Sequence, residues 1–176
     1  MTKEEFLNKY NPERTIKVAL SKSISAAVQR NKLYNSSLSH SKKKEIRDVW
    51  ALKLLSIKEE FIDKNWNSNE HNKVIIKLKN EMQNSFNDLI DFRISHSQKS
   101  ISVFFKHLWC LGIIKIPPQC PVDRIILTRI NAPYNERSWG YIDDIETHNQ
   151  KIKLIEEVAK SEGYDNMCEW ELFNFN

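Results

Sequence analysis

"SHSQKSISVFFKHLWCLGIIKIPPQCPVDRIIL", residues 95–127, joins an apolar run to a proline-braced loop and a second short apolar run. Its centre, "KSISVFFKHLWCLG", is an apolar helix that Gly112 is placed to end, because glycine adopts the left-handed conformation that closes a helix. "IIKIPPQCP" after it cannot be helical: Pro117, Pro118 and Pro121 remove backbone donors and restrict their neighbours. Pro121 then offers the start of a short helix, "VDRIILTRI". Before the apolar helix stands a short polar link, "RISHSQ", which reads as a tight hairpin over about 93–99. On this reading Lys99 sits at the mouth of a helix, and a lone acid, Asp123, returns beside Arg124 after the proline loop.

Outward from this stretch the same period recurs. "KKKEIRDVWALKLLSIKEEFID" places Ile46, Val49, Trp50, Leu52, Leu54, Ile57 and Phe61 on an apolar face, with Ser41 as its expected cap. "KVIIKLKNEMQNSFNDLIDF" repeats Val74, Ile75, Leu78, Met82, Phe86, Leu89 and Ile90 at three- and four-residue steps. Asn11 and Pro12 read as cap and first turn of a helix running to about Arg30. Asp143 or Asp144 caps "IETHNQKIKLIEEVAKSE", which Gly163 closes, and a last helix, "MCEWELFNF", is too apolar to be a free tail. "NAPYNERSWGY" is loop. Almost nothing alternates with period two. The expected fold is therefore all-α with two lobes: N-terminal helices over 1–38, a serine-rich loop "KLYNSSLSH", and a helical core over 39–176.

The 176 residues are 40% hydrophobic and 28% charged, which is ordinary for a globular chain. No apolar run approaches the length of a membrane span, and "MTKEEFLNKY" has no apolar signal core, so neither a membrane partner nor a secretion signal is expected. Three dispersed cysteines (Cys110, Cys120, Cys168) suit a reducing, cytoplasmic setting. A net charge of +4 is compatible with an anionic partner. Basic residues gather at Lys42, Lys43, Lys44 and Arg47, at Lys73, Lys77 and Lys79, and along Lys99, Lys106, Lys115, Arg124 and Arg129. Each run by itself reads as a solvated helix face.

Phosphate loops, nucleophile elbows and H-E-x-x-H pairs do not occur. A zinc site from His107, Cys110 and Cys120, completed by Cys168 or His148, lacks paired cysteine spacing, so no metal and no cofactor is expected. Lys99 and Asp123 are the sharper pair. The free N–H groups of a helix opening hold phosphate, and a lysine beside a bound backbone becomes a nucleophile once desolvated. A returning acid stabilises a cation developing on a sugar. Against this stands the plainer reading, in which Lys99 snorkels from the helix end and Asp123 caps the next helix.

"ISHSQKSISVFF" followed by "CPVDRIIL" resembles the signature of helix-hairpin-helix DNA glycosylases, the group of the endonuclease-III-like and 8-oxoguanine enzymes. Lys99-Ser100-Ile101 is similar to the lysine that opens the family's helix, and Val122-Asp123-Arg124-Ile125-Ile126 to the segment carrying its aspartate. "IEEVAKSEGYDNMCEWELFNF" is similar to the closing helices of the 8-oxoguanine branch. The resemblance covers about 74–176. Ser95 and Ser97 stand where the family has glycines, the interval from Lys99 to Asp123 is longer, and the iron–sulfur cysteines are absent.

The resemblance implies an all-helical protein that excises a damaged or modified base from double-stranded DNA. Lys99 would form a Schiff base and Asp123 would assist. Ser95, Ser97, Gln98, Lys106 and Arg124 would contact the nucleic acid, and Trp139, Trp170 and Phe173 would wall the base pocket. Two other classes remain open beside it: a DNA-binding module without chemistry, and a helical interaction or defence component.

Overall fold

The computed structural model describes residues 1–29, 31–35, 37–62 and 64–175. The expected helix ends at Arg30 and Asp63 lie outside the described residues, as does Ser36 in the serine-rich loop. Among the described residues the protein is all-α, with eight helices and no strand. They are α1 (Lys3–Tyr10), α2 (Ile16–Val28), α3 (His40–Phe61), α4 (Ser68–Ser85), α5 (Ile94–Cys110), α6 (Arg124–Arg129), α7 (Ile145–Ser161) and α8 (Met167–Asn174). Among the described residues no helix is long and apolar enough to cross a membrane.

The organising element is α5. All of its residues are buried except Val103, which is partly so. A helix covered on every side must be central, and α1, α2, α3, α4 and α7 all pack on it. The most extensive pairing is with α2. That helix buries Ala19, Ser23, Ile24 and Ala27, and the small members of this set let two backbones lie close. The Ser23 hydroxyl returns its hydrogen bond to Ala19 O at 2.6 Å and so costs nothing in burial. One hydrophobic core runs from Phe6 to Leu172, and the N-terminal helices share it. Trp50 of α3 anchors it: its ring meets Phe92 edge-on at 4.7 Å, and its indole N–H donates to Ser100 Oγ at 3.1 Å.

Several boundaries differ from the sequence expectation, each for a local reason. Asn11 does not open a helix. Thr15 caps α2, while the Asn11 side chain bridges the α1–α2 turn, accepting from Thr15 N and donating to Thr15 O. Ser39 rather than Ser41 caps α3, accepting from Lys42 N. Leu52, expected on the apolar face, is 66% exposed. The link 31–35 is tied by Asp91 N to Leu33 O, by Asn35 N to Leu89 O, and by a bridge from Tyr34 to Ile90.

The largest correction concerns 93–99. These residues form no hairpin: α5 begins at Ile94, and Lys99 lies in its second turn. The polar side chains that suggested a loop are bonded across the fold instead. Ser95 Oγ donates to Gly140 O, Ser97 Oγ to Ile75 O, and Gln98 exchanges two hydrogen bonds with the Val122 backbone.

The two expected glycine stops hold. Gly112 has φ +74°, with Gly112 N bonded to Trp109 O and Ile113 N to Leu108 O. Gly163 has φ +86°, with the matching bonds to Lys160 O and Ala159 O. Asp144 caps α7, accepting from Thr147 N at 2.7 Å.

Candidate functional site

Residues 124–129 form α6, and Asp123 is its N-cap, accepting from Ile126 N at 2.9 Å. The proline loop turns this cap back onto α5. There the Lys99 ammonium lies 2.6 Å from Asp123 Oδ2, with side chains only 8% and 10% exposed. The two residues singled out by sequence thus meet, 24 positions apart. Asp123 also performs the capping role of the plainer reading, so the same carboxylate does both. Burial pushes the Asp123 carboxyl up, but the charge and hydrogen bond of Lys99 and the Ile126 N–H outweigh it and hold it below the usual carboxylate range.

Two turns along the same face of α5 stands a second pair. Lys106 Nζ lies 2.7 Å from the carboxylate of Glu171 on α8, and both side chains are almost wholly buried. Its ammonium lies 3.9 Å from the Phe175 ring and 4.8 Å from the Phe6 ring. Burial pushes the Glu171 carboxyl up, and Lys106 opposes this without cancelling it. The two lysine–carboxylate pairs are therefore driven in opposite directions: Asp123 is the more firmly ionised acid and Glu171 the one that holds a proton more readily.

Both pairs line one cavity of about 960 Å³, large enough for a nucleoside. Lys99, Val103, Lys106 and His107 reach it from α5 at helical spacing. The aromatic side chains Phe6, Tyr10, Tyr134, Trp139, Tyr141 and Phe175 form much of the wall, and the Trp139 ring centre is 5.7 Å from Lys99 Nζ. Six basic side chains (Lys22, Arg47, Lys99, Lys106, Arg124, Arg137) face two acidic ones, an excess of four positive charges. His107 is buried against Phe6, and burial followed by the Lys106 charge pushes its imidazole down to about 4, leaving it neutral.

The other expected site residues separate. Arg124 is exposed at the cavity and Trp139 is in its wall. Lys106 reaches the cavity but is paired with Glu171. Ser95, Ser97 and Gln98 are fully buried, which corrects their placement on an exposed hairpin. No N–H is left open at that helix end. Ile94 N donates to Asp143 Oδ1, Ser95 N to Ile142 O, and the amides of His96 and Ser97 to Arg93 O. Trp170 is buried outside the cavity with its indole on Glu162, and Phe173 is 62% exposed and lies tilted against Tyr164, so neither walls the pocket.

Glu171, Lys22, Arg137 and Phe175 were not singled out by sequence, and Arg47 stood out only as part of a basic run read as a solvated helix face. Glu171 alone carried a legible signal: an acid inside the apolar run "CEWELF". Among the described residues no three His, Cys, Asp or Glu side chains converge as metal ligands. The Cys168 thiol is directed at Pro117 O instead.

Comparison with known proteins finds no matching family model, no matching curated protein and no matching solved structure.

Proposed function

We propose that the protein is a DNA glycosylase with lyase chemistry at Lys99. The observation that carries this reading is the Lys99–Asp123 pair, 2.6 Å apart and poorly solvated, opening on a nucleoside-sized cavity with aromatic walls and excess positive charge. A glycosidic bond breaks through a cationic sugar. A carboxylate held ionised in a water-poor site stabilises that cation more than it would in bulk solvent. The departing base takes the electron pair of the C1′–N bond and a proton from the Lys99 ammonium, and leaves neutral. The freed amine lone pair then bonds to C1′. Opening of the sugar ring, with a proton to the ring oxygen, gives the imine. Trp139 offers a face on which a base extruded from its stack can rest. Arg124 is an exposed cation at the cavity that can take a backbone phosphate, which positions the strand without reading it. Since the amides opening α5 are all bonded within the protein, phosphate contact in this reading rests on side chains.

The test is borohydride trapping on DNA carrying an abasic site, alongside base release from damaged and modified substrates. Lys99→Gln should abolish trapping. Asp123→Asn should nearly abolish base release while DNA binding persists, because asparagine keeps the cap on α6. Full activity in both variants would make the pair structural.

A second reading has its own observation. Asp123 already caps α6, and the Lys99 ammonium donates its hydrogen bond to it. A pair so occupied fits a non-catalytic DNA-binding module, for which the parent protein binds DNA yet forms no trapped species.

A further inference from the structure

The cavity mouth carries more than the proposed chemistry needs. Tyr134 and Tyr141 belong to two short 3-10 turns, Tyr134–Glu136 and Trp139–Tyr141. They are 77% and 79% exposed, the most open aromatic side chains of the protein, and both line the cavity. Exposing two large rings at one mouth is costly unless something covers them. Their support is rigid. The Arg93 guanidinium lies 5.5 Å from the Tyr141 ring and donates to Gly140 O. Gly140 is itself fixed by close packing, since a Cβ there would sit 3.3 Å from Asn31 Oδ1. Ser95 N and Ser95 Oγ hold Ile142 O and Gly140 O from below.

Lining the same cavity as these rings are four cations from four parts of the chain: Lys22 of α2, Arg47 of α3, Arg124 of α6 and Arg137. Arg47 and Arg137 donate through Nε, to Tyr34 Oη at 3.4 Å and to Ala132 O at 2.7 Å, and among the described residues their outer nitrogens make no hydrogen bond within the protein. Lys22 and Arg124 form no salt bridge among the described residues.

We infer that this mouth binds an unpaired nucleic-acid strand, with bases stacked on Tyr134 and Tyr141 and phosphates on the surrounding cations. In an intact duplex the base faces are hidden in the stack, and exposed rings find nothing to cover them. Aromatic platforms beside a cluster of cations suit a single strand, whose bases are free and whose backbone passes close to the wall. The inference rests on the reading of the cavity as a nucleic-acid site and narrows its substrate to unpaired or locally melted strand.

The experiment is fluorescence anisotropy with the full chain and a labelled oligonucleotide of about 12 nucleotides. The probe is offered as single-stranded DNA, as the same sequence in duplex, and as the matching RNA, at two salt concentrations. Single-stranded DNA should bind at least about tenfold tighter than duplex. Tyr134→Ala and Tyr141→Ala should each weaken it by about five- to a hundredfold, the range of one lost base stack. Both side chains are exposed, so the fold is not at stake. Lys22→Gln and Arg47→Gln should each lower the salt slope by about 0.7, whereas Lys153→Gln, exposed on α7 away from the cavity, should leave it unchanged.

Equal or tighter binding of duplex overturns the inference, as do tyrosine variants that bind like the parent. Tighter binding of RNA keeps the unpaired strand and moves the substrate away from DNA. Single-strand binding without borohydride trapping supports the inference and overturns the lyase reading, so the two fail separately.

Discussion

Replacing Lys99 by methionine removes an ammonium from a site where it lies 2.6 Å from a carboxylate and both side chains are about nine-tenths buried. At an effective dielectric constant of 20, two unit charges at this distance attract by about 6 kcal/mol, against which stands the cost of desolvating both. Breaking such a pair from one side leaves a buried charge without compensation, and each single variant, Lys99→Met or Asp123→Asn, should lose about 3–5 kcal/mol. In Lys99→Met the orphaned carboxylate keeps only the Ile126 N–H. In Asp123→Asn the orphaned ammonium keeps only the Trp139 ring, 5.7 Å away. The double variant removes both charges and should lose less than either single one. Urea denaturation followed by circular dichroism measures this. With an m-value of about 2 kcal/mol/M, each single variant should move its midpoint down by roughly 1.5–2.5 M, with the double variant recovering much of that. Asp123→Ala should be worse than Asp123→Asn by about 0.5–2 kcal/mol, the worth of the cap on α6. The sign with pH follows from the lowered Asp123 value: its stabilisation is present above the unfolded carboxyl range near 3.9 and is lost as pH falls through the folded value. If the two single losses add within about 0.5 kcal/mol in the double variant, the residues are not coupled and the reasoning fails.

Acid unfolding should set in well above the carboxylate range. Burial holds His71 down to about 3 and His96, His107 and His148 down to about 4, so the unfolded chain binds protons that the folded chain refuses. Stability should be full above about pH 6.5 and fall steeply between there and pH 4, by up to roughly 5 kcal/mol per pH unit with four histidines titrating, while the raised Glu171 works weakly in the opposite sense. A flat stability profile from pH 7 to 5 would contradict this. The three thiols should resist a disulfide reagent at pH 8 in the native protein and all react in urea, because burial pushes Cys110 up to about 11 and Cys120 and Cys168 well above their usual value; rapid native labelling of any one would locate an opening of the core. Gly112→Ala should cost about 1–2 kcal/mol in thermal or urea unfolding, since φ is +74° and nothing crowds the added methyl group; a neutral result would mean that the C-terminus of α5 rearranges.

The helical period, the proline break and the glycine stops were legible in the sequence because each acts over a few residues. Apolar positions at three- and four-residue steps lead to one face, a proline ring removes a donor wherever it stands, and Gly112 and Gly163 close their helices by a conformation open to them alone. The all-α class followed from these local terms. Asp123 stood out as a lone acid after a rigid loop for the same local reason, whereas Lys99 was placed at a helix mouth by a hairpin that does not form, since it lies inside α5.

The identity of "RISHSQ" as helix came from contacts distant in the chain. Serines, a glutamine and a histidine in series read as loop because their side chains compete with the helix for backbone bonds. That competition ends when distant groups satisfy them, and Ile75 O, Gly140 O and the Val122 backbone do so from 20 to 50 residues away. The same holds for the cavity. Glu171 reaches Lys106 across 65 residues, and Lys22, Arg47 and Arg137 come to one mouth from three separate elements. Local spacing carries no record of such meetings. They arise because burying the all-round surface of α5 requires α1 and α2 among others to close over it, and what those helices carry on their facing sides becomes the wall of the site.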